Sequence, residues 1–574
     1  MMRLGDVAGI TAEGLSHAAG SALAEAVRPF RNPLATPRRQ PSQLLHHPAD
    51  PRRGDPTRAR AFVAGQYRLP GGLVTTPEGG APWTAAPPTP LFAETLHGFD
   101  WLHHFQGEDD ARAHARWLVQ SWIEAAAGFP PAVWRAPLLA RRLVSWLTGA
   151  RLLLSGADEP FRTLFLGSLV AQSRFLSAIA GGTPPGYGRI VVHAALALIG
   201  ASLPGRGRCL DRGLNGMATE LNRQILPDGG HVSRNPALVL YILRDITVVQ
   251  DAMSAVSKAM PEAVYGTVMR MAPMLRFFCH GDGGFGLFNG AREEDGELIA
   301  LMIERHHPSG RAFGVAPHAR YQRLAAGGTV ILVDTGAPPQ GRASRGAHAS
   351  ALAFEMSVGP ERLITNCGTG VGLPPGWAEA MRATAAHSTL TVADTSSCRY
   401  LGTGLLGGWS EGRVIAGPTK VLSRRNEEER GIWLATSHDG YLEPFGLVHE
   451  RRIYMNNAGS DIRGEDRLLQ IEQLSPEDLR DLEPLPFAVR FHLHPSVRID
   501  LRPEEGSAQL RLPSGDGWIF RSAGGGLSIE ESVYLGTPDM VPTRQIVVSG
   551  GIGADTTVKW ALTRMARPGG VPVS

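Results

Sequence analysis

The sequence predicts a multidomain α + β protein. An N-terminal array of helical hairpins, of the kind that opens as a solenoid or closes as an (α/α) toroid, precedes a large antiparallel β region. Three observations carry this. From about Pro90 to Arg276 the apolar residues recur at helical spacing, in segments of roughly 15 to 20 residues cut by Gly and Pro. After the glycine-rich stretch Gly281 to Gly290 the period becomes strand-like and stays so to the C-terminus. Helices and strands are thus segregated in blocks, which argues for two domains instead of an interleaved α/β sheet. The expected division is a basic, Pro-rich arm over 1–89, a helical domain over 90–315 and a β domain over 316–574.

Taken in order, the arm carries Arg28, Arg31, Arg38, Arg39, Arg52, Arg53, Arg58 and Arg60 against Asp50 and Asp55, interleaved with prolines. That composition suits a solvated extended arm, or a patch for an anionic glycan or membrane surface. In the helical block, Arg116 to Ile123 (RWLVQSWI) is echoed by Arg142 to Leu147 (RLVSWL), as in stacked hairpins that share an aromatic core. Further helices are expected near 160–179, 189–202, 206–225, 236–256 and 261–276. Strands are expected at Gly328–Asp334, Ala351–Met356 and Thr389–Val392, with more to the C-terminus.

Composition bounds the function. A chain of 574 residues with 43% hydrophobic and 19% charged residues has ample core and is globular. A net charge of only +3 disfavours a nucleic-acid partner. Four scattered cysteines without a CxxC pair read as reduced core residues, and no run of about 18 apolar residues predicts a transmembrane segment. There is no HExxH, P-loop or dinucleotide loop. Gly408-Trp409-Ser410-Glu411-Gly412 fits GxSxG, but strand and turn follow it where a hydrolase elbow needs a helix.

Two groups of residues could carry chemistry. In Gln224 to Pro236 (QILPDGGHVSRNP) a tight Asp-Gly-Gly turn would present His231 and Arg234 at a helix mouth, with Asn235 capping the next helix. The bland reading is a well-capped interhelical turn. His348, Asn366 and His387 fall in three successive strand-like segments and would suit Zn²⁺ if they converge, or be ordinary buried residues if they do not. The polar groups at His438-Asp439-Gly440-Tyr441, His449-Glu450-Arg451-Arg452 and Phe491-His492-Leu493-His494 read as structural.

Together these stretches resemble the heparinase II/III-like family over nearly the whole chain. Ser121-Trp122-Ile123 through Trp146 is similar to its helical toroid, and Asp228-Gly229-Gly230-His231 with Asn235-Pro236 to its Asp-Gly-Gly segment. Ala347-His348 to Glu355, Glu361 to Gly368 and Arg382 to Leu390 resemble three of its β-domain strands. The resemblance implies a toroid followed by a β-sandwich, and β-elimination of an acidic, uronate-containing polysaccharide such as a glycosaminoglycan. It also implies a structural zinc at His348, Asn366 and His387.

The departures concern the reaction. Relatives place a catalytic Tyr where Leu238 stands, and the nearest tyrosine is Tyr241, about a helical turn on. Gly346 replaces a catalytic His. The expected Asn-His pair upstream has only Arg189 and His193 as counterparts, and the metal Asp is Asn366. The expectation is therefore a lyase using His231 or Tyr241 for proton transfer, with Arg234, Arg345 or Arg382 neutralising the carboxylate and Asn235 binding substrate. The alternative is a catalytically degenerate polysaccharide-binding or exopolysaccharide-assembly protein. A glycan hydrolase would need a carboxylate partner for Asp228. The start lacks the apolar core of a secretory signal, so a cytoplasmic location is expected, with periplasmic as the alternative because relatives are often exported.

Overall fold

The structure is a computed structural model that describes residues 41–566 except 78, 108–110, 308, 403–411, 471–484 and 554–555. The first four arginines of the basic arm and Gly408–Glu411 of the GxSxG match lie outside the described residues.

The longer helices of the helical domain are α1 (Pro90–Gly98), α2 (Arg112–Ala125), α3 (Ala136–Thr148), α4 (Glu159–Ile179), α5 (Tyr187–Ser202), α6 (Gly207–Gln224), α7 (Pro236–Ala255), α8 (Glu262–Phe278) and α9 (Gly296–His306). Several start as their sequences dictate, with an oxygen-bearing cap followed by proline. Thr89 caps α1, Asp158 caps α4 and Asn235 caps α7. The repeated tryptophans meet as expected: Trp122 of α2 and Trp146 of α3 are fully buried, edge to face at 5.6 Å. The stretch Glu159–Gly182 is long and apolar enough to cross a membrane, contrary to the sequence expectation, yet most of it is buried in the helical core.

Among the described residues the β domain is two large antiparallel sheets and a small two-stranded one, Arg399–Tyr400 with Val414–Ala416. The inner one contains β1 (Tyr321–Ala326), β2 (Thr329–Asp334), β3 (Phe354–Val358) and β4 (Glu361–Thr365). The outer one starts with β5 (Val421–Glu428), β6 (Gly431–His438), β7 (Leu447–Asn456) and β8 (Asp461–Gln470). Then β9 (Pro486–Leu493) joins the inner sheet, while β10 (Arg498–Arg502), β11 (Ser507–Arg511) and β12 (Gly517–Ala523) return to the outer one. The chain closes with β13 (Gly526–Tyr534) and β14 (Val541–Gly551) inside and β15 (Thr556–Arg564) outside. The outer order is β5-β6-β7-β8-β15-β12-β11-β10.

The inner sheet is the middle layer of the molecule. Alternate residues of a strand face opposite ways. Val330 and Leu332 of β2 join the helical core, whereas Ile331 and Val333 join the core between the sheets. One face of the inner sheet therefore abuts the helices, and the junction between them holds the motif residues.

Candidate functional site

The loop before α7 is built from its own polar groups. His231 is buried, and its Nδ1 accepts from the Ser233 backbone N–H at 3.1 Å, which leaves Nε2–H to donate to Gln224 Oε1 at 3.1 Å. Burial pushes this imidazole down to about 4. Arg234 sits at φ 61° and turns back into the domain junction. Its Nε donates to Ala319 O at 2.9 Å and Nη2 to Arg320 O at 3.0 Å, and Nη1 donates to Gly336 O and Ala337 O, both at 3.2 Å. It also pairs with buried Asp334. Every nitrogen of the guanidinium expected to bind substrate is engaged by the protein. Asn235 caps α7, Oδ1 accepting the Ala237 N–H at 2.8 Å.

The segment Asn289–Glu294 stitches the domains together. Asn289 donates to the Tyr321 hydroxyl at 2.7 Å and accepts the His348 backbone N–H at 3.1 Å. A methyl group placed on Gly290 would lie 3.5 Å from Asn235 Nδ2, 3.5 Å from Gly346 O and 3.8 Å from His348 Nε2. Those three atoms, from both domains, therefore surround one point. Arg292 reaches Val371 O at 2.8 Å, and Glu294, at φ 65°, accepts the hydroxyl of Tyr241.

Behind Tyr241 lies a charge network that sequence reasoning missed. The Tyr187 ring is 6.2 Å from that of Tyr241, and Arg141 donates to the Tyr187 hydroxyl at 2.6 Å. Arg141 also grips Asp245 through bonds of 2.9 and 2.8 Å, and Arg244 adds another at 2.9 Å. Arg52 of the arm binds Asp100 at 3.0 Å, and Arg244 approaches Asp100 at 3.5 Å. Burial alone would raise the Asp245 carboxyl, but Arg141 and Arg244 outweigh it and hold it at about 2. Burial raises Glu294, and burial followed by the Glu294 carboxylate raises Tyr241 well above the usual phenol range. The available signal was Arg244-Asp245 in the middle of an otherwise apolar helix, since such charges are seldom buried unpaired.

In the β domain His348 and His387 meet, Nδ1 to Nε2, at 3.1 Å. His387 Nδ1 lies 2.8 Å from Ala383 O and so carries the proton, which makes His387 Nε2 the acceptor and leaves a lone pair on His348 Nε2. Burial pushes His387 down to about 4, and burial with the neighbouring His387 pushes His348 well below the usual imidazole range. Asn366 is turned to other work: Oδ1 accepts the Ser388 N–H at 2.9 Å and Nδ2 reaches Leu287 O at 3.5 Å. Arg382 lies 3.8 Å above the Tyr400 ring and donates to Ala347 O at 2.8 Å, Ser344 O at 3.2 Å and Gly412 O at 2.6 Å. The residue expected to be catalytic thus braces the turn that carries Arg345 and Gly346. Of the three expected carboxylate binders, Arg345 is the exposed one.

Residues 308–561 match the family described as Heparinase II/III-like, C-terminal. The chain is 31% identical over 545 residues to FtsZ-localized protein C of Caulobacter vibrioides, covering 93% of this chain and 92% of that protein. It belongs to the heparinase II/III-like family. The fold agrees: a crystal structure of heparinase III superposes with TM-score 0.66 at 13% identity, over 98% of this chain and 91% of that one. Heparan sulfate lyase HepC from Pedobacter heparinus superposes with TM-score 0.54 at 14% identity, over 96% and 88%.

For a heparinase II/III-like chain the implied zinc can be tested on the donor set. His348 and His387 supply two imidazole nitrogens facing one another, but the third position offers a neutral amide already hydrogen-bonded elsewhere. Among the described residues no three His, Cys, Asp or Glu side chains cluster for a metal. Structural zinc is held by four thiolate, imidazole or carboxylate donors, so the donor set falls short. The His pair is complete as a hydrogen bond.

Proposed function

We propose that this chain is a catalytically silent member of the family that binds an acidic polysaccharide between its helical and β domains without cleaving it. Elimination from a uronate requires a base for the C5 proton, an acid for the leaving oxygen and a cation at the carboxylate. The observation that carries the reading is the state of the acid–base groups around the Asn235–Gly346–His348 point. Leu238 and Gly346 stand where relatives place Tyr and His. Of the substitutes, His231 has both nitrogens engaged inside the loop, and Tyr241 is a raised phenol bound to Glu294. What the junction keeps is recognition chemistry: the Asn235 amide as donor and Gly346 O and His348 Nε2 as acceptors, with exposed Arg345 next to Gly346 in the chain.

The test is absorbance in the unsaturated-uronate band while the protein is incubated with a panel of uronate polymers, run alongside binding to the same polymers. Binding without a rise is expected, weakened several-fold by Arg345→Ala. A protein-dependent rise would overturn the reading. The full-length similarity to a protein named for localising with FtsZ supports a second reading, in which the chain works at the division apparatus as a binding protein. A fluorescent fusion that fails to coincide with FtsZ would remove it.

A further inference from the structure

The outer face of the outer sheet is unlike the rest of a nearly neutral chain. Strand register sets its side chains in rows. In one row Arg424, Arg452, Glu465 and Lys559 face outward on β5, β7, β8 and β15, with Ala435 between the first two. The next row sets Trp433 beside Tyr454, Arg463 and, across Ala561, Arg521. At the far edge Arg498 stands directly opposite Arg511. Like charges in that position destabilise a bare sheet.

Cations on this face stand up among carboxylates of both kinds: Glu428 and Asp500 are exposed, whereas Asp461, which pairs with Arg463 at 2.8 Å, and Glu465 lie lower. The Asp461 and Glu465 side chains are each 24% exposed, whereas those of Arg463 and Lys559 are 68% and 70% exposed. The ion pairs of the first row are long, Arg452 to Glu465 at 3.8 Å and Lys559 to Glu465 at 4.0 Å. Exposed pairs at such distances hold little. The Trp433 and Tyr454 rings lie 4.6 Å apart, with Trp433 42% exposed. Between β8, β12 and β15 is a hollow of about 390 Å³, lined by Glu465, Arg467, Ala523, Gly524, Thr557 and Lys559. A ligand of this face meets upright cations, an aromatic platform and a polar hollow.

We infer that this face is a second binding surface, and that its occupant is an acidic polysaccharide lying across the strands. Charge complementarity selects a polyanion. The geometry selects a glycan over an acidic peptide. A peptide strand gains its affinity by pairing with a sheet edge, and a flat sheet face offers no backbone partners. Uronate carboxylates match guanidinium forks, and the apolar face of a pyranose ring matches an exposed aromatic. The choice of polymer rests on the proposed function. The surface lies on the side of the sandwich away from the helical junction, so one polymer chain, or two, can engage both sites, and the two contributions multiply.

The experiment is affinity electrophoresis of the full chain through gels containing polygalacturonate, repeated at rising salt, with poly-L-glutamate as a second probe. Three proteins are compared: wild type, Arg345→Glu at the junction, and the face triple Arg463→Glu, Arg521→Glu, Lys559→Glu. These three face residues are exposed, and circular dichroism checks that the triple folds; Trp433→Ala is an uncharged second variant. The expected result is a loss of at least tenfold for the triple, a smaller loss for Trp433→Ala, and salt-sensitive retardation of wild type. A triple that binds polygalacturonate like wild type, while Arg345→Glu abolishes binding, overturns the face and leaves the junction reading intact. A triple that loses binding while Arg345→Glu does not supports the face and removes the junction. Face-dependent binding of poly-L-glutamate in a protein that ignores polygalacturonate overturns the glycan as occupant.

Discussion

Arg234→Ala separates a structural reading of the motif loop from the ligand-binding one. In the folded protein this guanidinium lies between the domains, 4.6 Å above the Tyr321 ring, with backbone carbonyls of residues 319, 320, 336 and 337 around it. Its charge is matched by Asp334, which is fully buried. Truncation leaves that carboxylate with only the Ser350 hydroxyl at 2.7 Å and the Gly336 N–H at 3.1 Å. Removing one partner of a buried pair costs about 3–5 kcal/mol, because the other charge remains in low dielectric. Removing both should cost less than the sum, since Arg234→Ala with Asp334→Ala leaves no stranded ion. The assay is urea unfolding of the two single variants and the double, alongside polygalacturonate binding. A loss below about 1 kcal/mol for Arg234→Ala, the range of an exposed pair, would refute the reasoning. So would loss of binding at unchanged stability, which would return Arg234 to the ligand.

Other outcomes follow from the same geometry. His231 and His387 are held neutral by burial, each moved from 6.5 to about 4. The unfolded chain therefore takes up protons first: stability is full above pH 6.5 and falls as pH drops toward 4, by up to about 3 kcal/mol per histidine. A melting temperature unchanged from pH 7 to 4.5 would contradict this, and His231→Gln should flatten the slope. Tyr241→Phe removes the hydroxyl that Glu294 accepts and should cost about 1–3 kcal/mol in urea unfolding without altering polygalacturonate binding. Elemental analysis of chelator-washed protein should find zinc well below one per chain; one zinc lost on His387→Ala would restore the metal site.

Much of the fold was legible because it is written in local patterns. The helices read near 236–256 and 261–276 occur as Pro236–Ala255 and Glu262–Phe278, where periodicity and capping agree. The strand read at Gly328–Asp334 occurs as Thr329–Asp334, though its lack of alternation hides that Val330 and Ile331 serve different cores. The site was less legible because its partners are remote. Nothing near Arg234 announces Asp334, a hundred residues away, and nothing near Tyr241 announces Glu294. Arg382 looked like a carboxylate clamp, yet its targets are the backbone carbonyls of residues 344, 347 and 412, which have no sequence signature.

The proposed separation of motif resemblance from reaction has a structural basis. Arg234, Asn235, His348, Asn366, His387 and Arg382 lie in the stretches that carry the family likeness, and each now has a task inside the protein: a junction ion pair, a helix cap, an imidazole pair, a loop amide and a turn brace. Substituting any of them strands a buried polar group, so they are needed whether or not the cleft performs chemistry. Positions 238 and 346 differ in kind. Leu238 is half-buried against the helical core and Gly346 is exposed. Neither leucine nor glycine supplies a proton or a lone pair. These two positions are the ones on which the proposed recognition without elimination rests.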